Sequence, residues 1–351
     1  MAEYISFQPT DFFKTQIYTG TGATLAQTFP QTTAMQPDLT WIKCRDAGAR
    51  SHVLTDSVRG VNSQISSDDN AAETTLTDAL TSFDSDGFTL GADTGGGEVN
   101  NSGDDFVSWN WKAGTTTGLS GGTITPTSYS INTTSGFGVY KYTGTGSAGT
   151  IAHGLGVAPE MVIVKKYNTT ADWYVYHKDM PSGNGYHMTL NTSAAQASGT
   201  EWNSTNPTST VFSLGANSNV NASAATFIAY VFAPKRGYSK FQEYWGNGQT
   251  SDGTFVYTGF RPAFILIKRS ALTGNWQIFD DKRLGYNGGN SYLAPNDANA
   301  ENTGGQIDIV SNGFKMRNNG TYTNGSGDTY IYAAFAEFPI VSSNNLPTVA
   351  R

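Results

Sequence analysis

The 351-residue chain contains a single cysteine, Cys44. No intrachain disulfide can form, and a cysteine-rich metal site is excluded. Charge is scarce as well: Asp, Glu, Lys and Arg make up 14% of the chain, where about 25% is usual. Glu, Lys, Leu and Ala are too sparse for a long coiled coil. Lys and Arg number 21 against 28 acidic residues, a formal net charge of −7. With no clustered basic run to meet a phosphate backbone, no nucleic-acid partner is expected. Apolar runs such as Ala263–Ile267 fall far short of the ~20 residues that span a bilayer, so no membrane insertion is expected. Met1-Ala2-Glu3-Tyr4 lacks the basic and apolar regions of a secretory signal, and none is expected. Histidine is limited to His52, His153, His177 and His187, and none falls in an H-x-x-x-H or H-E-x-x-H pair.

What is abundant is glycine, with 40 residues, and aromatics, at 13%. Together they describe a β-rich chain with many turns and enough apolar surface for real cores. The main feature is internal repetition. Tyr18-Thr19-Gly20-Thr21-Gly22 recurs as Tyr142-Thr143-Gly144-Thr145-Gly146 and as Tyr244-Trp245-Gly246-Asn247-Gly248. A proline then leads an apolar run ending in lysine: Pro37 to Lys43, Pro159 to Lys165, Pro262 to Lys268. Sixteen residues after each proline stands Val53, Val175 or Ile278. Phe88, Phe212 and Phe314 follow at 51, 53 and 52 residues from the proline. Each copy closes on an aromatic run: Phe106–Trp111, Phe227–Phe232 and Tyr330–Phe335.

A period near 100 residues suits a whole β-sandwich better than a solenoid repeat of about 20–50. The expected fold is all-β: three tandem antiparallel, jelly-roll-like sandwiches at residues 1–113, 137–236 and 237–338. A Gly/Thr/Ser-rich linker is read at 114–136, and a tail at 339–351 that is either a loose end or a docking strand. The long first junction and the short second one, Pro234–Ser239, place units 2 and 3 close together and unit 1 more independently. One short helix is expected, over Asp69–Leu80, from the loose periodicity of Ala71, Leu76 and Leu80.

Chemistry-bearing motifs are thin. Gly144-Thr145-Gly146-Ser147-Ala148-Gly149 matches G-x-G-x-x-G, but the following residues are too glycine-rich and β-branched for the helix that a dinucleotide site requires. Asp84-Ser85-Asp86-Gly87 reads as a turn before a strand, since the other copies carry Thr210 and Asn312 opposite Asp86. The repeated Lys43, Lys165 and Lys268 are expected to lay their stems on apolar surface and reach water with their heads. Trp173 and Trp276 share one repeat position and are expected in the core. No catalytic, metal-ligating or cofactor-binding residue is assigned. For a sugar ligand, the stacking candidates are aromatics in loop-like stretches: Tyr186, Trp202, Tyr286 and Tyr292.

These residues carry a resemblance. Phe137-Gly138-Val139-Tyr140-Lys141-Tyr142-Thr143-Gly144-Thr145-Gly146, with Ile151-Ala152-His153-Gly154-Leu155-Gly156 and the Pro159 to Lys165 run, forms one block. Phe255-Val256-Tyr257-Thr258-Gly259-Phe260-Arg261-Pro262-Ala263-Phe264, Asn275-Trp276-Gln277-Ile278 and Asp281-Lys282-Arg283 form another. The start Ile5-Ser6-Phe7-Gln8-Pro9 with Asp11-Phe12-Phe13 is a third. Together they resemble tandem-repeat virion proteins of tailed, mainly aquatic bacteriophages, whose repeats are of the laminin-G and concanavalin type. The resemblance implies a non-enzymatic structural protein of the virion surface, assembled in the host cytoplasm: a tail fibre, a tail appendage or a capsid-decorating subunit. It implies other virion proteins as partners, a homo-oligomer with a trimer favoured, and contact with host-surface glycans. The alternative is a tail polysaccharide depolymerase, a glycoside hydrolase or lyase, for which a pair of acids about 5–10 Å apart in a cleft would be the mark.

Overall fold

A computed structural model describes residues 5, 7–30, 33–283, 287, 290–304 and 306–337. The chain is all-β, with several antiparallel sheets arranged as sandwiches. The three sequence copies build matching sheets. In unit 1 the large sheet runs Phe13–Thr19, Asp105–Trp111, Leu39–Cys44, Val53–Asp56, Ser63–Ser66, Thr74–Thr75. In unit 2 the same order is Phe137–Thr143, Thr226–Phe232, Met161–Lys166, Trp173–His177, Tyr186–Thr189, Ala197–Ser198. In unit 3 it is Ser239–Trp245, Thr329–Phe335, Phe264–Arg269, Gln277–Asp280. The aromatic closing run is thus a central strand in every copy. Each large sheet is accompanied by a small one, led by Leu25–Thr28, Gly149–Ala152 and Phe255–Tyr257.

The Tyr-x-Gly-x-Gly landmark has a local cause. Tyr18, Tyr142 and Tyr244 donate their hydroxyls to the carbonyls of Val99, Val220 and Thr323. The next residue in each case is a fully buried asparagine: Asn100, Asn221 and Asn324. Its Oδ1 accepts the N–H between the two glycines, from Thr21, Thr145 and Asn247, at 2.8–3.0 Å. The first glycine lies against that crossing backbone, and a Cβ on Gly144 would stand 2.2 Å from the Ala222 carbonyl oxygen. The glycine run at 144–149 is a close approach of two chain segments and has no helix behind it, as the sequence indicated.

Units 1 and 3 each hold an apolar cluster of their own, around Phe88 and around Phe314, and all three units share a further one. A continuous apolar cluster takes Phe13, Trp41 and Trp111 from unit 1, Met161, Ile163 and Phe232 from unit 2, and Phe264, Leu266 and Phe335 from unit 3. Trp111, Phe232 and Phe335 hold equivalent places in the three central strands. Their rings meet pairwise, with centroids 5.6–6.2 Å apart. Where the sheets converge, only an apolar void of about 20 Å³ remains. Unit 1 is therefore not set apart by its long junction, because burying its central sheet face requires the other two. Two further expectations are corrected. Residues 69–80 form no helix; they hold the strand Thr74–Thr75, and Asp69 caps a turn by accepting the Ala71 N–H. The stretch read as a linker, 114–136, includes the strand Ser128–Asn132, which pairs with Phe137–Thr143.

Candidate functional site

The repeated charged residues sit at the seams between units. Lys43, Lys165 and Lys268 are fully buried, so the expectation that their heads reach water is wrong. Each ammonium donates to a carbonyl of a neighbouring unit. Lys43 bonds Ala298 at 3.1 Å, Lys165 bonds Asn70 at 3.1 Å, and Lys268 bonds Ser193 at 3.2 Å. Unit 1 is thereby tied to unit 3, unit 2 to unit 1, and unit 3 to unit 2, and the ring closes. Burial pushes all three ammonium groups below the usual lysine value, Lys165 to about 8 and Lys268 to about 7.

A second ring uses Asp56, His177 and Asp280, which are equivalent by strand register. Each accepts the backbone N–H two residues on, from Val58, Asp179 and Lys282. Each also bonds across a seam. Asp56 accepts the Tyr230 hydroxyl at 2.8 Å, and Asp280 accepts the Trp109 indole N–H at 3.0 Å. His177 donates its Nε2–H to the Tyr332 carbonyl at 3.1 Å. Burial drives the His177 imidazole down to about 3, so it is neutral. Trp173 and Trp276, 0% and 1% exposed, are core residues as expected, and they also donate across seams to Ser66 and Thr189. These buried groups spend their hydrogen bonds on partners within the chain.

Among the described residues, the sugar-stacking candidates line no common pocket. Trp202 is 2% exposed and packs edge-on to Tyr176, so it offers no face to solvent; that assignment is corrected. Tyr186 is half-buried at a strand start and packs against the core. Tyr292 is half-buried against Phe279 and lines a cleft of about 110 Å³ with Asn275, Asp297 and Asn302. Tyr286 lies outside the described residues. The acidic turn is structural: Asp84 accepts the Ser82 and Thr89 hydroxyls, and Asp86 accepts the Met35 N–H. His187 bonds Glu201 at 3.0 Å. Burial opposes ionisation of Glu201, but His187 and the Asn219 amide outweigh it and lower that carboxyl below the usual range. Among the described residues, no group of three or more His, Cys, Asp and Glu is placed to hold a metal ion.

The site that composition failed to show is on unit 3. Trp245, Phe255 and Tyr257 are 58%, 47% and 58% exposed. They flank a slot of about 420 Å³ between the outer strands Ser239–Trp245 and Phe255–Tyr257, with Lys240, Gln242 and Glu243 in its wall. Both strands are sheet edges. Lys240 crosses the slot, donating to the Tyr257 carbonyl at 2.7 Å with its ammonium 5.1 Å from that ring. Register places Thr143, Thr150 and Ala152 at the same positions in unit 2, and Thr19, Ala26 and Thr28 in unit 1. The aromatics are peculiar to the third copy. The signal lay in the repeat alignment, which pairs Thr19 and Thr143 with Trp245.

Residues 8–339 match the family described as a domain of unknown function, DUF7483. The chain belongs to the DUF7483 family. The span matched by DUF7483 takes in all three units, as does the shared apolar cluster. No curated protein and no solved structure matches the chain.

Proposed function

We propose that the chain is a non-catalytic structural subunit on the exterior of a tailed-phage virion, docking on other virion proteins through the open side of unit 3. The observation that carries this reading is the set of three exposed aromatics on two outer strands that pair with no further strand among the described residues, where the two sister units have Thr or Ala. Large rings in water on one copy of three mark a contact surface, and aromatics are the residues enriched in such contacts. The rest of the molecule supports the same reading. Its buried lysines, aspartates and histidine are committed to holding three repeats in a ring, which gives a rigid platform for one face. The likeness of the repeats to phage virion proteins supplies the setting.

The test is an antibody raised against the full chain and applied to intact particles made by the source that encodes it. Label on the particle exterior is expected. Label confined to the soluble fraction, with particles bare, overturns the reading. So does release of reducing sugar or unsaturated sugar from a host-surface polysaccharide by the purified chain.

A further inference from the structure

The open side of unit 3 has a closed counterpart inside the same molecule. In unit 2 the equivalent side is covered by residues 114–132, a stretch with no charged side chain. This segment pairs with both sheets. Ser128–Asn132 adds a strand to Phe137–Thr143. Further back, Gly122 bridges Ile151, and the N–H groups of Thr123 and Ile124 donate to the Thr150 carbonyl at 2.8 and 2.9 Å. Ile124 and Ile131 drop from it into the core, 4% and 6% exposed, while Tyr129 and Leu119 pack partly against it. Beneath this cover Gly138 and Tyr140 are buried; their unit 3 equivalents, Lys240 and Gln242, are half-buried and exposed.

We propose that the slot of unit 3 takes an extended, uncharged Ser/Thr/Gly-rich strand from a partner protein, which pairs with the Ser239–Trp245 edge and lays apolar side chains against Trp245, Phe255 and Tyr257. This deepens the docking reading above and rests on it. The physical reason is that an edge strand leaves backbone donors and acceptors for an added strand to satisfy; here the Ser239 N–H is taken by the Lys235 carbonyl and the Trp245 carbonyl by the Thr254 hydroxyl, so the added strand pairs along the middle of the edge, at Phe241 and Glu243. Residues 114–132 show the chemistry this edge accepts, because an equivalent edge in unit 2 already accepts it. Charge agrees: Lys240 and Glu243 stand in the same wall, and Lys315 is paired with Asp252 at 2.8 Å, so the slot has no net sign to favour a charged strand. In unit 2 the apolar anchors come from the covering segment and the wall is small. In unit 3 the wall supplies the aromatics, which suits an incoming strand with smaller anchors.

The probe is a synthetic peptide of residues 114–132, titrated into the full chain. Saturable binding is expected, with slowed amide hydrogen exchange in Ser239–Trp245 and a blue shift of tryptophan emission. The variant Trp245→Thr/Phe255→Thr/Tyr257→Ala, which installs the unit 2 residues, should weaken binding at least tenfold at unchanged melting temperature. The same peptide N-methylated at alternate residues should not bind, because strand addition needs its N–H groups. Equal binding by the N-methylated peptide, or protection of amides elsewhere, overturns strand addition. No peptide binding together with protection of the slot by neutral oligosaccharides overturns it in favour of a sugar site. Self-association of the chain that is lost in the triple variant overturns it in favour of a second copy. None of these results bears on whether the antibody labels the particle, so the docking mode and the virion assignment fail separately.

Discussion

In unit 2, residues 114–132 lie over the outer strand and bury Tyr140; in unit 3 the equivalent Gln242 faces water beside Trp245 and Tyr257. The strands beneath are the same in order and register. A sandwich with one open side therefore tolerates two endings. One brings its own covering strand, and the other keeps an edge with aromatic walls. Seam chemistry, by contrast, is held nearly constant: a buried lysine and an Asp or His cross-bond recur in all three copies. The repeat has preserved what closes the ring and varied what faces outward.

Four measurements test whether the seams carry the stability and the outer edges do not. The largest effect is expected at a seam. Trp276→Ala removes a buried ring and its bond to Thr189, and should destabilise the chain by about 3–5 kcal/mol in urea unfolding. A loss under 1 kcal/mol would mean the seams contribute little. Next is the covered edge: Ile131→Ala should cost about 2–4 kcal/mol, since Ile131 is anchored in the core. A null result there would show that the cover is dispensable, and the distinction between units 2 and 3 would fail.

The third test uses pH. Burial holds the folded His177 near 3, while the unfolded side chain titrates near ~6.5. Between those values the unfolded chain binds the extra proton, so stability falls as pH drops through that window, by about 1.4 kcal/mol per pH unit for one such group. His52 and His153 are also lowered by burial and act in the same direction. The difference between wild type and His177→Gln, followed by melting temperature from pH 7 to 4, isolates the seam histidine. Parallel curves would refute its role. The smallest effect is expected on the open edge: Trp245→Thr should change stability by no more than about 0.5 kcal/mol. A larger loss would show that Trp245 is part of the folding core.

Much of this was legible in one dimension. Equal spacing of Pro, Lys, Phe and the closing aromatic runs pointed to one strand order used three times, and the large sheets repeat that order, because equal offsets over such lengths arise from a repeated fold. The core placement of Trp173 and Trp276 followed from their apolar strand neighbours. The helix over 69–80 misled because weak local periodicity yields to strand pairing when a sheet edge is adjacent. Lys43, Lys165 and Lys268 were visible as a repeat, but their role was not. Lys165 and Lys268 each also donate to a carbonyl of their own unit, Ala171 and Gly274, but the bonds to Ala298, Asn70 and Ser193 form only when another unit packs over the strand end.

Local spacing and side-chain type are enough to specify the all-β class, the threefold repeat and its turns. It takes the folded chain to show that the copies meet in a shared apolar cluster, that residues 114–132 cover unit 2, and that Trp202 is buried while Trp245 is not. Those outcomes depend on which surfaces meet, and contacts between residues a hundred positions apart leave no periodic trace in the chain.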